Sequence, residues 1–102
     1  MTTAHEIIRT VAEEAGVQVE GLLCRSRCHI VAWPRQLAYL LIQRQCGMSL
    51  QQIAREMHRK DHTTILHGFR SARRRLLVDP SYRALHDRVV ARLRVAREKE
   101  LR

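Results

Sequence analysis

Aromatic residues are scarce in this chain, at 4% of 102 residues, and it has only four glycines and two prolines. Sheets draw heavily on aromatic and β-branched residues and on Gly/Pro turns, so this poverty excludes a sandwich or barrel and favours a compact helical domain. Long apolar runs are also missing. The longest, Leu37 to Ile42, stops after six residues, well short of a membrane span. The beginning, Met1-Thr2-Thr3-Ala4-His5-Glu6, has neither the basic start nor the apolar stretch of a secretory signal. Cys24, Cys28 and Cys46 are an odd number, so free thiols in a reducing cytoplasm are expected. No glycine-rich phosphate loop and no Gly-x-Ser-x-Gly turn occurs, and paired carboxylates appear only at Glu13-Glu14. The chain therefore reads as a non-enzyme that takes no cofactor and no nucleotide.

What is present is positive charge, unevenly placed. The formal net charge is +9. Residues 1–20 set Arg9 against Glu6, Glu13, Glu14 and Glu20, for −3. Residues 21–78 set eleven Arg or Lys against Glu56 and Asp61, for +9, and residues 79–102 contribute seven basic against four acidic groups, for +3. Charge concentrated in one segment calls for a polyanionic partner.

Length allows one domain, here residues 1–102, with a core over about 3–93 and a charged, frayed tail over 94–102. Ile7, Ile8, Val11, Ala12 and Ala15 recur at helical spacing, so a first helix is expected from about Thr3 to Ala15, stopped by Gly16. Val17, Val19, Leu22 and Leu23 follow as a short extended piece and one helical turn. Arg25 to Val31 reads as a loop. Pro34 fits the first position of a second helix lined by Leu37, Ala38, Leu40 and Leu41 and ending near Gln45. Ser49 with Gln52 three residues on is a capping-box pattern for a short third helix carrying Leu50, Ile53, Ala54 and Met57. After His58-Arg59-Lys60, Asp61 is a good N-cap for a fourth helix with Ile65, Leu66, Phe69, Ala72 and Leu76 on its apolar face. Asp79-Pro80 starts a fifth, lined by Tyr82, Leu85, Val89, Val90 and Leu93.

The most site-like stretch is His58 to Arg70. A short amphipathic helix, a turn and a helix that begins Asp61-His62-Thr63-Thr64 form a helix-turn-helix pattern. The fourth helix puts small hydrogen-bonding side chains in its first turn. Threonine can offer a hydroxyl to a base or a methyl to thymine, aspartate can accept from cytosine N4, and histidine can donate or accept. On this local pattern alone, base reading stands level with a plain capped, solvated turn. Arg25 and Arg27 lie in a loop, where arginine can enter a narrow minor groove, and Arg35 is better placed for a phosphate. Arg59, Lys60 and Arg70 are read as further backbone contacts, whereas Arg73 to Arg75 favour a solvated face. Cys24-x3-Cys28 and His58-x3-His62 have ligand-like spacings, but the gap between them is far longer than in a compact zinc finger, so no metal is assigned.

The run Pro34-Arg35-Gln36-Leu37-Ala38, then Ser49-Leu50-x-x-Ile53, then Asp61-His62-Thr63-Thr64-Ile65-Leu66-His67 resembles the C-terminal DNA-binding domain of the bacterial replication initiator DnaA. The resemblance covers about residues 3–93. It implies an all-α, compact helical bundle with a central helix-turn-helix, Trp repressor-like, that binds double-stranded, A·T-rich DnaA boxes as a monomer per site. It assigns base reading in the major groove to Asp61, His62, Thr63 and Thr64 and minor-groove reading to Arg27, and it places Arg35 at the DNA. It brings Ser49 and Leu50 to phosphate, with Gln51 supplying an extra N–H where the family tends to have proline. The family usually has Gly-Gly-Arg where this chain has His58-Arg59-Lys60, a change that alters the turn and adds charge. The ATPase module of the full initiator is absent from this sequence.

The function expected is sequence-specific binding at DnaA-box-like sites, in the cytoplasm at the nucleoid, by a stand-alone regulator of transcription or competitor of the initiator. The start Met1-Thr2-Thr3 and the complete first helix favour independence. The alternatives are a detached origin-recognition domain of a full initiator and a protein-interaction module that kept the fold.

Overall fold

Thr3 and Gly16 bracket the first helix, and each does so by a specific bond. In the computed structural model, which describes residues 2–100, the Thr3 hydroxyl accepts from the Glu6 N–H at 3.1 Å and starts α1 (Ala4–Ala15). Gly16 ends it at φ +73°, the left-handed conformation in which a glycine has no Cβ to clash. Five more helices follow among the described residues: α2 (Val19–Leu23), α3 (His29–Cys46), α4 (Leu50–Glu56), α5 (His62–Val78) and α6 (Pro80–Glu100). The described residues contain no strand. The fold is the all-α bundle with a helix-turn-helix that the sequence calls for, α4 and α5 forming the latter.

The apolar run Leu37 to Ile42 explains the architecture. All six residues are buried, so the middle of α3 is covered on every side. α1, α2, α4 and α5 pack around it, and α6 closes the bundle against α1 and α5. Ile7, Val11, Leu22, Ile53, Met57, Ile65, Ala72 and Val89 supply the buried faces of the surrounding elements. At the crossing of α3 and α5 the helices come very close. A Cβ built on Gly68 would stand 2.5 Å from Cδ2 of the Tyr39 ring.

Two expectations need correction. The second long helix begins at His29 rather than Pro34, so the loop ends at Cys28 and Pro34 lies inside α3. Proline there has no N–H to give to the carbonyl of Ile30, four residues before it. Ile30 lies at the exposed end of the helix, where water can take that place, so the helix survives. The second correction concerns the tail. Residues 94–100 continue α6 rather than fray, and the last two residues of the expected tail lie outside the described residues. The Arg97 guanidinium donates to Gln45 Oε1 at 2.8 Å and ties that end to α3.

Arginines of α6 pair with the two adjacent glutamates of α1. Arg88 donates to Glu14 Oε1 at 3.0 Å, and Arg92 reaches Glu14 Oε2 and Glu13 Oε2, each at 3.0 Å. Such surface pairs contribute little to stability. They engage Glu13 and Glu14, two of the four acidic residues of the N-terminal segment.

Candidate nucleic-acid interface

The turn between α4 and α5 is built by two caps. The Ser49 hydroxyl accepts from Gln52 N–H at 3.2 Å and Gln52 Oε1 accepts from Ser49 N–H at 2.9 Å, the full capping box of α4. α4 then closes with a Schellman motif: His58 N–H donates to Arg55 O at 3.3 Å and Arg59 N–H to Ala54 O at 2.7 Å. His58 sits at φ +57°, in the left-handed region that favours glycine. The turn's geometry is thus reached with a histidine where the resemblance expects glycine.

Asp61 starts α5. Its Oδ1 accepts from Thr63 N–H at 2.9 Å. The Thr63 hydroxyl, and after it the Thr63 backbone N–H, hold this carboxyl below the usual carboxylate range. His62 Nδ1 lies 3.8 Å from Asp61 Oδ1 with its ring half exposed. His62, Thr63 and Thr64 all face solvent while Ile65 is buried, so the first turn of α5 presents its polar side chains outward as a unit.

Across from this turn runs the Arg25–Arg27 loop. Together they wall a cleft of about 720 Å³, lined on one side by Arg25, Ser26 and Arg27 and on the other by His58, Lys60, Asp61, Thr64 and His67. Trp33, Gln36, Tyr39 and Gly68 line it as well. The structure therefore brings Arg25, Arg27, Lys60, Asp61 and Thr64 to one place. Thr63 and Arg70 lie outside the cleft lining but are exposed on α5, as are Arg73 and Arg74. Ser49 and Gln51 are exposed at the start of α4, with the Ser49 hydroxyl committed to its cap, and Leu50 is half-buried against the core.

Arg35 and Arg59, expected at phosphate, also line this cleft, with their guanidiniums engaged by backbone carbonyls. Arg35 is only 7% exposed. Its Nε donates to Leu22 O at 2.6 Å, Nη1 to Ser26 O at 2.9 Å and Nη2 to Gly21 O at 3.2 Å. Burial, and next the neighbouring charge of Arg59, lower its pKa from the ordinary arginine value, though a guanidinium keeps its proton at any physiological pH. Arg59 is half-buried, and its Nη2 donates to Cys24 O and, at 3.4 Å, to Leu22 O. The physical reason is common to both. The last turn of α2 and the irregular loop after it leave carbonyls without backbone partners, so these take side-chain donors.

Sequence reasoning missed the cleft residues contributed by α3 and the middle of α5. Gly68 was the available signal, an isolated glycine inside a helical apolar stripe, which marks a close backbone approach. Arg75 was also read as solvated. Its guanidinium instead lies 4.1 Å from the centre of the Trp33 ring and donates to Gln36 Oε1 at 3.0 Å. It ties α5 to the cleft's rear wall. Tyr82 hydroxyl donates to Trp33 O at 2.7 Å and adds α6 to the same junction.

A capped helix-turn-helix facing an arginine loop across a basic cleft defines a helix-turn-helix protein. Residues 4–71 match the family model described as the bacterial dnaA protein helix-turn-helix, and the chain belongs to that family. The match stops inside α5, leaving α6 beyond it. The chain is similar to the chromosomal replication initiator protein DnaA of Symbiobacterium thermophilum, 30% identical over 92 residues, which cover 90% of this chain and 20% of that protein. Its similarity to the initiator of Aquifex aeolicus is 35% identity over 80 residues, covering 78% and 20%. For that of Cereibacter sphaeroides it is 35% over 77 residues, covering 76% and 17%. The chain thus spans about a fifth of the length of these relatives.

Proposed function

We propose that the protein binds double-stranded DNA sequence-specifically, with the first turn of α5 in the major groove and the Arg25–Arg27 loop in the adjacent minor groove. The observation that carries this reading is the shared cleft: Arg25 and Arg27 on one wall, Lys60, Asp61 and Thr64 on the other. Exposed arginines suit a narrow, electronegative minor groove, and small polar side chains at a helix start suit base edges. Family membership supports DnaA-box-like sites as the target class. Asp61, His62, Thr63, Thr64 and Arg27 are the base readers in this reading. Arg25, Ser49, Leu50, Gln51, Lys60 and Arg70 hold the backbone, and one monomer occupies each site.

The biological role proposed is that of a stand-alone regulator of transcription, or a competitor of the initiator for its sites. A second reading, origin recognition as one domain of a longer initiator, is favoured by the one-fifth coverage of the relatives. The apparent mass of the protein in its source cells separates the two. The DNA reading itself is tested by random-site selection with purified protein and a salt titration on the selected site. If about five to eight phosphates are neutralised, log K against log salt slopes at roughly −4 to −7. A slope near zero with no selected sequence contradicts the proposal and favours a protein-interaction module on the same fold.

A further inference from the structure

Arg59 belongs to the helix-turn-helix by sequence, but its guanidinium contacts the end of α2 at Leu22 and Cys24, where the Arg25–Arg27 loop begins. Its backbone is fixed at the third residue past α4, where its N–H donates to Ala54 O at 2.7 Å. From that anchored point the side chain runs away from the turn, and Nη2 donates to the carbonyls of Cys24 and Leu22, more than thirty residues earlier in the chain. Nε is buried with no hydrogen-bond partner. A buried unpaired N–H is unfavourable, so the bonds at the far end of the guanidinium must hold the side chain in place. Arg35 grips the same segment from α3 through Leu22 O, Ser26 O and Gly21 O. Two guanidiniums side by side repel one another. The row of carbonyls at the end of α2 and in the loop offsets that repulsion, as negative helix ends do for cations.

We propose that Arg59 is a positioning residue: it locks the Arg25–Arg27 loop to the helix-turn-helix, so that the two walls of the cleft keep a fixed spacing. Arg35 fixes the loop to α3, but among the described residues only Arg59 fixes it to the turn that sets the register of α5. The inference rests on the assignment of those two walls to the two grooves of DNA. Loop arginines free to move would each lose conformational freedom on entering a minor groove. A loop held by Arg59 brings Arg27 to the groove already placed relative to Thr64.

The test uses Arg59→Ala and Arg59→Lys in the full chain. In the DNA-free protein, backbone order parameters of residues 25–28 are expected to fall from about 0.85 to below about 0.6 in Arg59→Ala, with helical signal retained. On DNA, discrimination between A·T-rich and G·C-rich flanks is expected to drop about tenfold, while discrimination at the major-groove positions and the salt slope hold. Arg59→Lys is expected to behave like Arg59→Ala, because the lysine nitrogen falls one atom short of the place where Nη2 meets the two carbonyls. In an Arg27→Ala background, Arg59→Ala is expected to have no further effect on flank discrimination. Unchanged order parameters overturn the proposal whatever DNA does. A salt slope flattened by about one unit with flank discrimination intact makes Arg59 a phosphate contact and overturns it too. A wild-type protein that selects no sequence instead overturns the DNA reading itself, and the DNA-free order parameters then report on the tie alone.

Discussion

His58 stands at the end of α4 in the position that Gly16 holds at the end of α1. Both close a Schellman motif from the left-handed region, Gly16 at φ +73° and His58 at φ +57°. The second bond of each motif is also matched, with Val17 N–H on Ala12 O at 3.0 Å and Arg59 N–H on Ala54 O at 2.7 Å. The same backbone solution is therefore reached once with the residue suited to it and once with a residue that has a Cβ to accommodate. His58→Gly is expected to raise stability by about 0.5–1 kcal/mol, since a left-handed non-glycine residue costs about 1–2 kcal/mol and glycine's extra unfolded-state freedom returns part of it. Chemical denaturation of the two proteins measures the difference. A loss of stability would mean that the His58 side chain contributes more than its backbone costs.

Gly68→Ala probes the crossing of α3 and α5. In a solvated helix this change stabilises by up to about 1 kcal/mol. Here the new methyl meets the Tyr39 ring at 2.5 Å and 2.8 Å, and that ring is itself fully buried in the core. A net destabilisation of about 1–3 kcal/mol is expected from overpacking, read as a lower denaturation midpoint. Equal or higher stability would show that the ring moves aside at little cost.

Arg35→Ala is expected to act on the fold before it acts on any ligand. It removes the guanidinium bonds to the carbonyls of Leu22, Ser26 and Gly21, and losing hydrogen bonds from a charged donor costs about 1.5–3 kcal/mol. Lysine is expected to rescue poorly, having one point of donation instead of a fork. Thermal denaturation of the three proteins decides the matter. Wild-type stability in Arg35→Ala would return this residue to the surface role that its sequence context first indicates.

The pH profile has a defined sign at each end. Burial pushes the Tyr82 hydroxyl up to about 12, and burial raises Tyr39 as well. A tyrosine in the unfolded chain titrates near 10, so above that pH the native state holds protons the unfolded chain has released. The stabilisation from Tyr82 is complete below pH about 10 and is lost as pH rises through about 12, amounting to about 2–3 kcal/mol. Tyr82→Phe should remove its share of that alkaline loss, while forfeiting the bond to Trp33 O. At the acid end, the carboxyls of Asp61 and Asp79 are lowered, first by the hydroxyls of Thr63 and Ser81. Their caps contribute above the ordinary carboxylate range near pH 4 and are lost as pH falls below it. Urea unfolding across pH 3–12 reads both limbs. A flat alkaline limb would contradict the burial argument for Tyr82.

Local chemistry made the helix starts and stops legible. Ser49 with Gln52, Asp61 before the threonines and Gly16 after Ala15 each announce a cap in a few adjacent residues, and each cap is present. The apolar run at Leu37 likewise announced its own burial. Pro34 misled because its usual place at a helix start outweighed the possibility that an exposed helix end tolerates it further in. Arg35 and Arg59 misled for a different reason. Sequence places a cation in solvent unless a partner is near in the chain, and their partners are backbone carbonyls at the end of α2 and in the loop after it. No side chain marks a carbonyl in need of a donor, so that demand is visible only once the loop is seen without a ladder. The cleft depended on the same information, since its two walls are about thirty residues apart in sequence and meet through Arg59.

The central claim is that the first turn of α5 reads bases, and the Thr63→Ala/Thr64→Ala double variant tests it most directly. Both residues are exposed, so their truncation should shift stability by only about half a kcal/mol per site, apart from the support the Thr63 hydroxyl gives to Asp61. Lost base contacts should cost about 1–3 kcal/mol, confined to the selected site. The measurement is the ratio of affinities for the selected sequence and a scrambled duplex at one salt concentration, wild type against variant. The account predicts a collapse of that ratio toward one, with helical signal and salt slope preserved. A variant that keeps the wild-type ratio would contradict it, because the Asp61–Thr64 turn would then face DNA without reading it.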